Sequence, residues 1–251
     1  MIESGFGRGT VFSLDVDGRE YWITAKHILN GAQDVFHTGS IAGKFARVKI
    51  LDQGVDEERW LAVDFAVIDP GVDLDVVVLA PDHNLLVKPI QSVEPSRVGI
   101  MMGGECEFLG FPYGGGWHTK LDGQPLWLPF VKHCTVSTLP LPPDSRIWIL
   151  DGINNAGFSG GPVLYGTGPQ QKLFAVISGY RTEPADVIRS PQERITRPKP
   201  PEAPKSKGSQ AEAGAGAAKE TVNVNSGFII AFDIGCALDA IKKNPIGPLR
   251  K

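Results

Sequence analysis

The sequence predicts an all-β fold of sandwich or barrel type, closed by a single C-terminal helix. Three observations carry the prediction. Short segments alternate apolar and polar residues with period two. Gly (30) and Pro (20) are over-used in a chain of 251 residues, and they punctuate those segments. A 3.6-residue apolar period occurs near the C-terminus. A chain this long has room for a sizeable core in one large or two small domains.

The strands follow in order. Phe12, Leu14 and Val16 alternate with Ser13 and Asp15; Asp17-Gly18 is a hairpin turn signal, and Tyr21–Thr24 is its return strand. Ala46, Val48 and Ile50 alternate with Arg47 and Lys49, and Leu61, Val63, Phe65 and Val67 alternate again. Val76-Val77-Val78-Leu79 is a β-branched run of strand length, ended by Pro81. Residues 87–100 read as a connector broken by Pro89, Ser92 and Pro95. Further strands are expected at 105–109, 129–138, 146–150, 162–165, 173–178 and 227–232. From about 182 to 225 the chain holds Pro198-Lys199-Pro200-Pro201 and an Ala/Gly run, 213–218. Such a composition cannot offset ordering entropy by burial, so a disordered insertion is expected. Asp233 is the expected N-cap of the final helix, whose apolar face is Ile234, Ala237, Leu238 and Ile241, and Asn244-Pro245 should end it.

Composition excludes several function classes. A net charge of −3 argues against a dedicated nucleic-acid binder. No apolar run reaches membrane-spanning length. The start, Met1-Ile2-Glu3-Ser4-Gly5, shows no signal peptide pattern. Three Cys cannot all pair with one another, so a reducing, cytoplasmic setting is expected, with Cys106, Cys134 and Cys236 as structural residues. No Cys/His cluster has metal-ligand spacing, and no cofactor is expected.

Three motifs carry chemistry. In Gly157-Phe158-Ser159-Gly160-Gly161-Pro162, glycines permit a tight turn that exposes the Ser159 hydroxyl and aims the amides of Gly157 and Ser159 at one point, as a developing oxyanion requires. Thr24-Ala25-Lys26-His27 places a histidine after an apolar strand. Asp73-Leu74-Asp75 precedes the Val76–Leu79 run; Asp75 is favoured over Asp73 because it leaves that run intact directly after it. His37, His83, His118 and His133 lack the Thr-Ala context. A serine hydroxyl becomes nucleophilic when a base takes its proton, and a carboxylate holds that base in one tautomer.

Together these segments resemble the three signatures of trypsin-like (chymotrypsin-fold) serine proteases, nearest to the bacterial branch without structural disulfides that includes HtrA-type proteases. The resemblance runs from about Gly7 to Ile241. It includes Phe6–Phe12 as an opening strand, Leu109-Gly110-Phe111-Pro112 as the turn opening the second barrel, and Leu173–Tyr180 as the strand lining the substrate groove. It implies two six-stranded antiparallel Greek-key barrels, residues 1–98 and 99–241, then a tail, 242–251. His27 would be the general base, Asp75 its orienting carboxylate, Ser159 the nucleophile, and the Gly157 and Ser159 amides the oxyanion hole. Ile153, Asn154, Asn155 and Ala156 would approach the specificity pocket, with Ser178, Gly179 and Tyr180 along its wall. No acidic residue stands there, so small or apolar substrate side chains are expected. Phe158 stands where secreted zymogens carry the Asp that receives a new N-terminus, so no such activation is expected. The resemblance carries no PDZ domain. The function it implies is a serine endopeptidase acting on a protein or peptide; the alternatives are a protease-fold peptide-binding module without turnover and an acyl-ester hydrolase.

Overall fold

Asp17 and Gly18 both have positive φ, 52° and 71°. This two-residue turn joins β3 (Phe12–Val16) to β4 (Arg19–Thr24) in the register Val16↔Arg19. The computed structural model describes residues 1–34, 36–41, 43–52, 57–86, 93–121, 123–140, 145–186 and 221–250. These described residues fall into two units, one within 1–181 and 227–250 and the other comprising 182–186 and 221–226.

The first unit holds two seven-stranded sheets. One contains β1 (Ile2–Glu3), β2 (Arg8–Gly9), β3, β4, β5 (Phe45–Leu51), β6 (Trp60–Ile68) and β7 (Val77–Pro81) in the order β2-β1-β5-β6-β7-β4-β3. The other contains β8 (Glu94–Pro95), β9 (Glu105–Gly110), β12 (Phe130–Thr138), β13 (Ile147–Asp151), β14 (Pro162–Tyr165), β15 (Lys172–Asp186) and β16 (Thr221–Asp233) in the order β14-β9-β12-β13-β16-β15-β8. Pairing of β14 with β15 closes six of these into a barrel.

The first sheet departs from the expected closed barrel. Its edge strands β2 and β3 belong to one run of chain and are separated only by Thr10 and Val11, so backbone rather than a ladder bridges the seam. The reason is local: the Thr10 amide donates to Ser159 O (2.8 Å) and its carbonyl accepts from Thr24 Oγ1 (2.7 Å), which leaves nothing for a strand partner.

Three apolar clusters account for the strand patterns. Val48, Ile50, Phe65, Val77 and Leu79 form the core inside the first sheet, a half-barrel. Phe108, Val136, Leu150, Phe158 and Phe174 fill the second barrel. A third cluster joins Val76, Val78 and Ile23 to Leu164, Val176, Phe232 and the terminal helix. Strand β7 contributes to two clusters, one from each face, which is why its sequence is an unbroken apolar run.

Some strands differ from expectation. β15 continues to Asp186 and β16 starts at Thr221, so both ends of the expected insertion are strand; the remainder, 187–220, lies outside the described residues, as do 87–92 of the connector. A hairpin of β10 (Trp117–Leu121) and β11 (Gln124–Leu128) lies outside the expected strands, although the sequence Asp122-Gly123 is a turn signal and Gly123 has φ 78°. Helix α1 (His27–Asn30) is a single turn; α2 (Gly235–Lys243) is the expected C-terminal helix and ends at Asn244. Its N-cap position is Ile234, not Asp233. The buried Asp233 carboxylate still accepts the Gly235 amide in the first turn (2.8 Å), and it also accepts from Trp148 Nε1 (3.1 Å) and pairs with Arg97 (3.3 Å). Among the described residues no helix is long and apolar enough to cross a membrane.

Candidate active site

Strand β4 delivers His27 to the start of α1, and Asp75 stands two residues before β7. β4 and β7 pair directly, Thr24 opposite Val77, so residues 48 apart in sequence meet. The Asp75 side chain is fully buried. Its Oδ1 accepts the His27 backbone amide at 2.8 Å, and its Oδ2 faces His27 Nδ1 at 2.7 Å. Ser178 Oγ donates to the same Oδ2. A buried carboxylate needs hydrogen-bond donors for its oxygens, and these three supply them. With Nδ1 engaged, Nε2 is the ring nitrogen without a protein partner among the described residues, on a side chain that keeps 23% of its surface. Asp73 is exposed and does not reach the ring.

Lys26, beside His27, is buried completely. Its ammonium binds Asp69 (2.7 Å) and the carbonyls of Gly39 and Gly71. It thus pins the turn that leads into Asp75.

Ser159 lies in a turn whose amides alternate in use. Those of Phe158, Gly160 and Gly161 donate to Asn155 O (3.3 Å), Ile177 O (2.7 Å) and Phe158 O (2.8 Å). Those of Gly157 and Ser159 have no acceptor among the described residues. Gly157 has φ 101°, and a Cβ there would stand 2.2 Å from Phe111 O, so only glycine fits. The Ala156 carbonyl accepts the Tyr113 amide at 2.7 Å. Because the peptide is planar and trans, this aims the Gly157 N–H the opposite way. Thr10 holds the turn from the first barrel's seam: its hydroxyl donates to Gly157 O and its amide to Ser159 O, both at 2.8 Å. Ser159 Oγ donates to Ser178 O at 2.8 Å rather than to His27. His27, Asp75, Ser178 and Ser159 therefore form one connected hydrogen-bonded set.

Lys132 on β12 supports the adjoining segment. Its ammonium donates to Ile153 O (2.6 Å) and Asn155 Oδ1, and it lies 5.4 Å from the centre of the Phe158 ring. Burial lowers its pKa from the ordinary lysine value. Asn155 Nδ2 reaches Tyr113 Oη (3.2 Å), and Asn154 Nδ2 reaches Gly179 O (3.3 Å). Phe158 is fully buried, edge-on to Phe108.

The structure therefore gathers His27, Asp75 and Ser159 in one place and leaves two of the expected amides unspent. Of the expected lining residues, Ile153, Ala156 and Tyr180 are exposed, while Asn154 is buried and Asn155 is committed to Lys132 and Tyr113. Ser178 does more than line a wall, since it bonds both Asp75 and Ser159. Sequence reasoning missed Thr10, Tyr113 and Lys132. Tyr113 acts largely through a backbone amide that any residue type carries, Thr10 through its amide and a hydroxyl that no local pattern marks, and Lys132 reads as an ordinary outward charge on a strand. The other histidines lie elsewhere: His37 is exposed and raised in pKa by its hydrogen bond to Asp34, and His118 lies tilted against Trp127 in the β10–β11 hairpin.

No protein-family model and no curated protein matches the sequence. Solved structures do. The Rv3671c protease in an inactive form is 15% identical, with a TM-score of 0.47, covering 96% of this chain and 86% of the other. Deg5 is 22% identical, with a TM-score of 0.45, covering 70% and 77%. The active form of the Rv3671c protease from M. tuberculosis is 16% identical, with a TM-score of 0.45, covering 96% and 74%. The strand order, the closed six-stranded barrel and the terminal helix match a chymotrypsin-like fold, in which His27 at the start of α1 and Asp75 just before β7 adjoin the first sheet and Ser159 lies in the turn before β14 of the second.

Proposed function

We propose that this protein is a serine endopeptidase that hydrolyses peptide bonds through an acyl-enzyme. The observation that carries the reading is the connected set His27–Asp75–Ser178–Ser159 beside two unspent amides. Ser159 is the nucleophile. His27 Nε2 takes its proton as Oγ attacks the substrate carbonyl, and Asp75 holds the ring through Nδ1 and stabilises the imidazolium. The Gly157 and Ser159 amides receive the oxyanion. His27 then protonates the leaving amine, and a water activated by the same ring cleaves the acyl-enzyme. Residues Ser178, Gly179 and Tyr180 would take substrate as an added strand.

A fluorophosphonate probe tests the reading. It should label Ser159, and labelling should vanish in Ser159→Ala and fall by orders of magnitude in His27→Ala. A protein that the probe leaves untouched would sink the proposal. The bond from Ser159 Oγ to Ser178 O, rather than to His27, favours a second reading, a peptide-binding module without turnover. Peptide retention that survives Ser159→Ala, with no cleavage by the unmodified protein, would select it.

A further inference from the structure

Cys106 and Cys134 are register partners in the β9–β12 ladder. Their sulfurs lie 3.0 Å apart, one thiol donating to the other, and Cys106 Sγ is 3.4 Å from the carbonyl oxygen of Cys134. Both sit in the core of the second barrel, 2% and 5% exposed. Facing residues of antiparallel strands have Cβ atoms about 4.5–5.5 Å apart, and a disulfide wants about 3.5–4.5 Å, so a small shift of the strands closes the bond. The third cysteine lacks this relationship. Cys236 is on α2 beside Arg146 and Asp239, with its thiol pushed up to about 12 by burial.

We propose that Cys106 and Cys134 form a cross-strand disulfide when the chain folds in the presence of a small-molecule disulfide oxidant, and that the closed barrel then preserves whichever redox state it enclosed. In the open chain the Cys134 thiolate attacks one sulfur of oxidised glutathione and expels one glutathione thiolate. The Cys106 thiolate next attacks the Cys134 sulfur of that mixed disulfide and expels the second. One glutathione S–S bond breaks and one protein S–S bond forms. The two thiol protons and two electrons leave as two glutathione thiols.

Closure of the barrel stops this exchange in both directions. The attacking species is a thiolate that must meet the oxidant. Inside the barrel the pair is out of contact with solvent, and the hydrogen bond that the Cys134 thiol donates to Cys106, together with burial, holds that thiol far above its ordinary pKa. The bond would tie β9, which runs into the Phe111–Tyr113 support of the Ser159 turn, to β12, which carries Lys132. It forms or fails to form whatever Ser159 does.

The experiment refolds the reduced, denatured full chain in a mixture of reduced and oxidised glutathione. The product is then denatured, alkylated and peptide-mapped. The expected product is lighter than the reduced chain by two hydrogens, links the Cys106 and Cys134 peptides, carries alkyl only on Cys236, and melts at a higher temperature than the reduced form. Reduced protein that is already folded, held in the same buffer, should keep three alkylatable thiols. Cys134→Ser should abolish the link; should that variant fail to fold, Cys236→Ser must still form it. Three free thiols after oxidative refolding, or a link through Cys236, overturns the disulfide. Oxidation of the folded protein as fast as of the open chain overturns the sealing.

Discussion

The Ser159 hydroxyl donates to the carbonyl oxygen of Ser178 at 2.8 Å, while the Ser178 hydroxyl donates to Asp75. One residue thus contacts both the candidate nucleophile and the carboxylate that orients the candidate base. In the proposed reaction the Ser159 proton must swing from Ser178 O to His27 Nε2. The backbone carbonyl survives any substitution at 178, but the hydroxyl does not.

Ser178→Ala therefore removes one of three donors from a buried carboxylate. Losing a hydrogen bond to such a group costs about 1–3 kcal/mol. The expected result is a kcat lowered roughly tenfold with KM little changed, since each 1.4 kcal/mol is a factor of ten. Steady-state kinetics on a peptide substrate checks it; an unchanged kcat would show that Asp75 does not need this donor.

Gly157→Ala forces a Cβ against Phe111 O and Tyr113 N at a φ of 101°. The turn must shift, and its amide leaves the oxyanion position. A fall in kcat/KM of roughly 100- to 1,000-fold is expected, the usual cost of one lost oxyanion donor. Probe labelling should slow in parallel. Full activity in this variant would remove Gly157 from the proposed oxyanion hole.

Lys132 gives activity an alkaline limit. Burial lowers its pKa, so the ammonium that holds Ile153 O and Asn155 is lost at a lower pH than an ordinary lysine would lose it. Between the folded pKa and the unfolded one the unfolded chain binds more protons, so this group makes stability rise with pH across the window. Activity is expected to fall there while the melting temperature contributed by this group does not. Lys132→Arg, which keeps its charge, should flatten the decline, and Lys132→Met should abolish it at a lower overall kcat. A pH profile for Lys132→Met identical to that of the unmodified protein would be the contrary result.

Lys26→Met leaves Asp69 and two backbone carbonyls without a buried cation. Breaking a buried pair from one side costs about 3–5 kcal/mol. The Asp69 side chain keeps 23% of its surface, so the lower end of that range is expected. Thermal unfolding should show a clear drop, with weaker probe labelling as the Asp75 turn loosens. A melting temperature equal to that of the unmodified protein would contradict this role.

Much of the site was legible because its parts are local. The turn around Ser159 needs glycines in fixed places, and Asp75 is followed by a run buried on both faces, which separates it from the exposed Asp73. The Asp17-Gly18 hairpin and the apolar face of α2 follow from turn chemistry and helical period alone. The strand pattern failed where burial is not periodic. β15 runs on through residues with no apolar alternation, the added part of β16 alternates only through Val222 and Val224, both exposed, and the β10–β11 hairpin pairs strands with little core beneath them.

The sequence by itself determined the all-β class, the terminal helix, and the three segments that bear His27, Asp75 and Ser159, because periodicity and glycine placement are properties of neighbouring residues. Tertiary structure alone decided which groups support them. Thr10 bridges the seam of the first barrel to the Ser159 turn, Tyr113 orients the Gly157 peptide through a backbone bond, and Lys132 reaches from β12 to Asn155. It also set Cys106 opposite Cys134. These contacts join residues remote in sequence, some of them through backbone groups common to every residue, and the register of paired strands brings their partners together.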